Sequence, residues 1–315
     1  RYSDEKVTAS RNFANKLWNA SRFVQMNLPE DFEPGMPAEE LLDMSDKWVL
    51  SELARTAAEV TANLDKYELG LAAEKVENFI WDIYCDWYIE ICKSRLNGED
   101  AQQADTARKV LVWVLDKALK LLHPFMPFIT EEIYQALPGS AETIMTQEWP
   151  DAGKMTAWPQ ECADFEVLMD YIKAVRTIRN DMNVHPAKKT SMTIETANPA
   201  AFQKGGAYLA RFAFATDVAL TEKYTGTTDG VVTVVTPAAR GFIPMMEQID
   251  REKELKRLHK ELEKAEKEAN MFRNQLNNPK FVERAPEKLV NETRTKLAAS
   301  EDKIANINQS IQALG

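Results

Sequence analysis

The chain has 315 residues, of which 44% are hydrophobic, and a formal net charge of −10. That is enough for two domains with real cores and an appended element, and the acidic balance excludes an indiscriminate nucleic-acid binder. No run approaches 18 apolar residues and no signal peptide opens the chain, so a membrane span is excluded and a cytoplasmic, non-secreted setting is expected.

Residues 1–140 read as helices almost throughout. Apolar positions recur at helical spacing over roughly 4–28, 45–66, 68–96, 101–122 and 125–137, with loops at LPEDFEPGMP, near Asn97-Gly98 and at LPGS. Such a pattern predicts an antiparallel helical bundle. On the first helix Phe13, Leu17, Ala20, Val24 and Leu28 share the core face. Asn12, Lys16, Asn19 and Phe23 form a second stripe about a third of a turn away, with Asn15 and Arg22 beside it. Amides read base edges, a lysine takes a phosphate and an exposed phenylalanine offers a stacking face, which are the contacts unpaired bases need. An ordinary solvated helix face, with Phe23 tucked under a neighbour, accounts for the same pattern.

The segment NFIWDIYCDWYIEICKSRL is dense in aromatics that suit the bundle core. Its acids Asp82, Asp86 and Glu90 stand four apart. A general-acid or metal role for them is weaker than a solvated face or pairing with basic neighbours such as Lys93. In LLHPFMPFITEEIYQAL, Pro124 breaks the helix, Thr130 and Glu131 begin the exposed side of the next one, and His123 suits a helix-end hydrogen bond. Cys85, Cys92 and Cys162 are odd in number and form no C-x-x-C pair, so a structural zinc site is not expected and a reducing cytoplasm is.

After a Trp/Pro-rich connector, WPDAGKMTAWPQE, a helix is expected over about 161–182. Leu168, Tyr171, Val175, Ile178 and Met182 face inward there. Lys173, Arg176, Asn180 and Asn183 share another side, with Arg179 adjacent. Lys188 and Lys189 follow in a loop, and a basic helix end beside a basic loop suits a phosphate backbone, although solubilising charge explains it equally. The period then changes: SMTIETA, DVALTE and GVVTVVT read as short strands, with a helix near 199–214 between the first two.

Beyond RGFIPM two heptad runs appear. Leu255, Leu258, Leu262, Ala265, Ala269, Phe272 and Leu276 recur at steps of three and four, as do Val290, Thr293, Leu297, Ser300, Ile304, Ile307, Ile311 and Leu314. Folding the second run back on the first pairs residues with index sums of 566 and 565, such as Leu262 with Ile304 and Ala265 with Ser300. Pro279 and Pro286 punctuate the turn. An antiparallel hairpin arm is predicted, its first limb roughly 33 Å long at 1.5 Å per residue. From Glu247 onward there are 14 basic and 13 acidic residues, against 25 and 36 in the remainder, so the arm is near neutral on an acidic chain. The expected class is mainly α, in three parts: a helical bundle over 1–150, a linker helix with a small α/β unit over 151–244, and a coiled-coil arm over 245–315. No glycine-rich phosphate loop, nucleophile elbow or H-E-x-x-H motif is present.

Read together, these segments resemble the C-terminal part of the valyl-tRNA synthetases, a class I aminoacyl-tRNA synthetase family. The marks, in order, are RYSDEKVTASRNFANKLWNASRF, DKWVLSEL, CDWYIEICKSRL, LLHPFMPFITEEIYQAL, IMTQEWP, IRNDMNVHPAKK, GFIPMMEQID and LNNPKFVERAPEKLV. The isoleucyl and leucyl families share the bundle but are not expected to end in this arm. The resemblance implies a class I anticodon-binding bundle followed by a tRNA-binding arm. In the full-length enzyme it implies ligation of valine to tRNA(Val) with ATP, magnesium and a valyl-adenylate.

The HIGH and KMSKS signatures and the editing domain are not in the chain. It begins at Arg1, which reads as a piece excised from something longer, non-catalytic and without a cofactor of its own. The implied partners are tRNA(Val) and the catalytic domain of the same enzyme, with the piece itself a monomer and no membrane involved. Asn12, Lys16, Asn19, Arg22 and Phe23 are expected near anticodon bases, and Lys173, Arg176, Arg179, Asn180, Lys188 and Lys189 near the stem. On the arm, Arg251, Lys256, Arg257, Lys260, Lys264, Arg273, Lys288 and Arg294 are the candidates. A helical protein-interaction module, or the equivalent part of an isoleucyl- or leucyl-tRNA synthetase, remains the alternative.

Overall fold

The computed structural model describes residues 3–227, 229–245, 251–277 and 287–314. The side chains of 251–258, 261, 287–289, 302–303, 306–307 and 309–314 stand outside that description. Two units form, Arg1–Asp170 with Ala200–Tyr208, and Tyr171–Pro199 with Leu209–Gly315.

In the first unit, α1 (Asp4–Met26) starts where the Ser3 side chain accepts from the Lys6 amide, and buries Phe13, Leu17, Ala20 and Val24 as its periodicity predicts. The next helix, α2 (Met44–Asp65), opens on two aspartates. Asp43 accepts from the Asp46 amide at 2.9 Å and Asp46 from the Asp43 amide at 3.1 Å, a reciprocal capping box. Asp46 is also fully buried. Its Oδ1 accepts from Arg95 Nη1 at 2.7 Å and from the Tyr88 hydroxyl at 2.5 Å, while Arg95 reaches Asp43 at 3.1 Å. Burial works against the Arg95 charge, but the Asp46 and Asp43 carboxylates more than offset it and hold the guanidinium protonated well above its ordinary range.

Arg95 and Tyr88 belong to one long helical run, α3 (Leu69–Asn78), a π-helical segment (Phe79–Tyr88) and α4 (Ile89–Leu96). The π turns are absent from the periodicity-based expectation, which took 68–96 as plain α-helix. Helix α5 (Ala101–Leu122), capped by Asp100, and α6 (Pro127–Gln135) complete the bundle. At the break between them His123 Nδ1 lies 2.7 Å from Thr130 Oγ1. Thr130 is fully buried rather than exposed, because its hydroxyl also bonds the Met126 carbonyl. The Trp/Pro-rich connector is stitched to α2: Trp149 Nε1 donates to Thr61 and the Trp158 amide to Ser51. Helix α7 (Pro159–Asp181) then places Phe165 4.8 Å from the Trp48 ring.

The second unit carries a four-stranded sheet of order β2-β1-β4-β3, from β1 (Thr190–Thr196), β2 (Ala215–Thr221), β3 (Val232–Val235) and β4 (Ala239–Ile243). Strand β1 is parallel to β2 and antiparallel to β4, which is antiparallel to β3. Strand β4 contains the RGFI segment, which lies outside the three strands expected from the sequence. Its Gly241 lies so close to Tyr171 that an added Cβ would meet the phenol oxygen at 1.9 Å. The helix expected at 199–214 is split into α8 (Pro199–Lys204) and α9 (Gly206–Phe212), because Gly205 lies against Leu168.

Helices α10 (Arg251–Leu276) and α11 (Glu287–Leu314) pack along one another. Ala265, Ala269, Val290, Thr293 and Ser300 are buried in their seam. Arg273 Nη2 meets Glu301 Oε1 across it at 2.7 Å. In the predicted register this pair is staggered by eight positions, about 12 Å along the axis. A seam sum of 569, placing Ala269 with Ser300, Phe272 with Leu297 and Leu276 with Thr293, cuts the stagger to five positions, about 7.5 Å. Side chains on antiparallel helices lean toward their own N-termini, here toward one another, and span that distance easily. The ion pair therefore shifts the hairpin by about one turn from the predicted pairing.

Replacing Arg95 by alanine leaves the Asp46 carboxylate buried without its cation and is expected to cost about 3–5 kcal/mol in urea unfolding. Burial pushes the Cys85 thiol up to about 12 and also raises Cys92 and Cys162. At pH 8 roughly one Cys85 in 10⁴ is then a thiolate. Iodoacetamide labelling at that pH should modify half-buried Cys162 first and reach Cys85 and Cys92 only after unfolding.

Candidate nucleic-acid interface

The predicted anticodon stripe lies on α1, which runs in the same direction as the 69–96 helix, since the facing pairs Phe13–Trp81, Lys16–Asp86 and Phe23–Lys93 advance together. Asn12, Asn19 and Arg22 are exposed, and Phe23 is half-buried. Lys16 is not a free cation. Its Nζ lies 2.6 Å from Asp86 Oδ1 and 3.7 Å above the centre of the Trp81 ring, whose other neighbour is Phe13. The π-helical segment makes this possible. At the 100° step of an α-helix, residues five apart diverge by about 140°, whereas i→i+5 hydrogen bonding brings Trp81 and Asp86 to nearly the same side. A second set follows: Lys93 Nζ sits 5.6 Å over the Phe23 ring and 2.6 Å from Glu90 Oε1. Periodicity singled out Asp86 and Glu90 and offered Lys93 as a basic partner, which Glu90 takes; it gave no sign that Asp86 pairs with Lys16 on α1.

Of the predicted stem residues, Lys173, Arg176, Asn180, Lys188 and Lys189 are exposed along the C-terminal half of α7 and the loop after it. Arg179 is different. It is only 2% exposed, stacks over Phe214 at 5.0 Å, and donates through Nη2 to the carbonyls of His185 and Lys188 at 3.2 and 2.5 Å. Burial pulls its guanidinium below the ordinary value. Its position corrects the expectation that Arg179 reaches a phosphate, because the loop's inward carbonyls need a donor and Arg179 supplies it. That clamp presents the basic loop, with Asn183 at φ 51° in the turn.

On the arm, Lys260, Lys264, Arg273 and Arg294 are exposed, and Arg273 is engaged by Glu301. The side chains of Arg251, Lys256, Arg257 and Lys288 lie outside the described residues. A cleft of about 860 Å³ opens at the carboxyl ends of β1 and β2 between Glu195 and Arg240, and none of the predicted residues lines it. Among the described residues no group of histidine, cysteine or acidic side chains is arranged to hold a metal, and no helix is long and apolar enough to cross a membrane.

Residues 46–194 match the family model described as the anticodon-binding domain of tRNA ligase, and residues 250–315 match the valyl tRNA synthetase tRNA binding arm. Over 316 aligned residues, covering the whole chain, it is 40% identical to the valine–tRNA ligase of Clostridium perfringens. It is 42% identical to that of Carboxydothermus hydrogenoformans over 301 residues, 95% of the chain. The chain belongs to the valine–tRNA ligase family. It spans 36% of the length of the Clostridium perfringens relative and 34% of the Carboxydothermus one. The ordered motifs from RYSDEKV to the hairpin tip thus belong to one family, and the heptads at the end of the chain coincide with its arm.

If Arg179 holds the loop rather than RNA, Arg179→Ala should speed amide exchange of residues 185–190 by at least about tenfold without any ligand present. An unchanged exchange pattern would return Arg179 to the phosphate-contact set.

Proposed function

We propose that this chain is the tRNA-binding part of a valine–tRNA ligase, an enzyme that joins valine to tRNA(Val) using ATP. In this reading the helical unit takes the anticodon stem and loop, and the α10–α11 hairpin takes the outer corner of the folded tRNA. The observation that carries it is the coincidence, in one chain, of an anticodon-binding match and a tRNA-arm match, with the heptads of the arm satisfied by each other in an intramolecular pair.

The division of labour follows from chemistry. Exposed Asn12, Asn19 and Arg22 offer donors and acceptors to base edges. Lys173, Arg176, Lys188 and Lys189 gather positive charge at one helix end and its loop, which suits a phosphate backbone and fixes register rather than sequence. Lys260, Lys264 and Arg294 give the arm scattered cations on a nearly neutral surface. Activation of valine with ATP and magnesium, and transfer to the tRNA end, belong to parts of the ligase beyond these residues. The chain acts as a monomer in the cytoplasm, joined to that catalytic part.

The test is binding of tRNA(Val) across salt concentrations. Each phosphate contact contributes about −0.9 to the slope of log K against log salt. Arg176→Ala should therefore flatten the slope by about 0.9, while Phe23→Ala should reduce discrimination between tRNA(Val) and a tRNA with a changed anticodon. Comparison with the isoleucine and leucine tRNAs tests the valine assignment. A concentration-dependent dimer that ignores tRNA would replace this reading with a protein-interaction module.

A further inference from the structure

The seam between α1 and the 69–96 helix holds two aromatic–ammonium–carboxylate sets. In the first the cation comes from α1 (Lys16) and the ring and acid from the opposite helix (Trp81, Asp86). In the second α1 supplies the ring (Phe23), and the opposite helix supplies cation and acid (Lys93, Glu90). Lys16 and Phe23 are seven residues apart, as are Asp86 and Lys93, which is about 10.5 Å on each helix. All four charged side chains stay accessible, from 23% exposed for Lys16 to 52% for Asp86.

Two exposed pairs of this kind add little stability, on the order of 0–1 kcal/mol each. Their effect on a ligand is larger. A lysine standing alone beside an aromatic ring attracts any phosphate, and so any RNA. A lysine already matched to a carboxylate carries no net pull on a phosphate, and the acid repels one. The same pair suits a base edge: the carboxylate accepts from ring or exocyclic N–H groups, and the ammonium donates to a carbonyl or ring nitrogen.

We propose that Asp86 and Glu90 are specificity-determining residues of this seam. They keep Lys16 and Lys93 charge-balanced, so that the seam admits unpaired nucleobases and turns away the sugar–phosphate backbone. The proposal rests on the RNA-binding reading above and adds to it two acids whose removal should strengthen binding of the wrong RNA.

The experiment uses the full chain with Asp86→Asn, Glu90→Gln and the double substitution. Binding is measured to tRNA(Val), to tRNA(Val) with altered anticodon-loop bases, and to an oligouridine, from 50 to 200 mM salt. Each freed lysine should steepen the oligouridine slope by about 0.7, an affinity change of about threefold over that range. Discrimination between the two tRNAs should fall. Adding Lys16→Ala to Asp86→Asn should restore the original slope, and an unaltered midpoint of the main cooperative unfolding transition, that of the helical unit, separates this from damage to the fold. Unchanged slopes and unchanged discrimination, with parent binding to tRNA(Val) intact, overturn the role of the acids alone. Failure of the parent chain to bind tRNA(Val) at low salt overturns the reading beneath it.

Discussion

One buried carboxylate organises the helical unit. Asp46 caps its own helix, accepts the Tyr88 hydroxyl and neutralises Arg95, so the start of α2 and the last turns of the opposite run are held by one side chain. A charge with no solvent is costly unless every lone pair is used. The node therefore acts as an all-or-none joint: α2 and α4 meet with this stagger, or the carboxylate stands unpaired. Apolar packing alone tolerates small slides between helices, and the ionic node removes that freedom.

With the far end of the 69–96 helix pinned at Arg95, the wide turns of residues 79–88 have a local job. They rotate Trp81 and Asp86 together onto the α1 side, and so decide what α1 shows to solvent. Lys16, by its sequence position a projecting cation, is folded back against an indole and an acid. The amides on either side of it, Asn12 and Asn19, are left standing clear. The face is accordingly less basic than its composition suggests, in keeping with a molecule whose overall charge is negative.

What could be read beforehand was whatever depends on local period. The first helix placed Phe13, Leu17, Ala20 and Val24 in the core from spacing alone, and the two heptad runs announced a hairpin. The misses have other origins: contacts that reach beyond one helical turn, or a backbone conformation that side-chain period does not mark. Nothing local marks NFIWDIYCDWY as π-helical. Arg179 looks like its exposed neighbour Arg176, and only the carbonyls of a loop that folds under it explain its burial. Strand β4 hides because Ala239 and Gly241 are poor strand formers, yet glycine is what the close approach of Tyr171 demands. In the arm, Ala265, Ala269 and Ser300 are small enough to suit more than one register, so the pairing needed the Arg273–Glu301 contact to fix it.

Those small seam residues also set how the hairpin responds to heat. A layer of alanine against serine lets two backbones come close but removes few methyl groups from water, so each layer adds little to the cohesion between helices. At these layers the limbs depend instead on intrinsic helix formers and neighbouring pairs such as Glu263 with Lys267, interactions that melt gradually along a helix. A bundle locked by a buried ion should yield in one sharp step. The whole chain then has no single melting temperature: a broad early loss of helicity from the arm would precede the main cooperative transition.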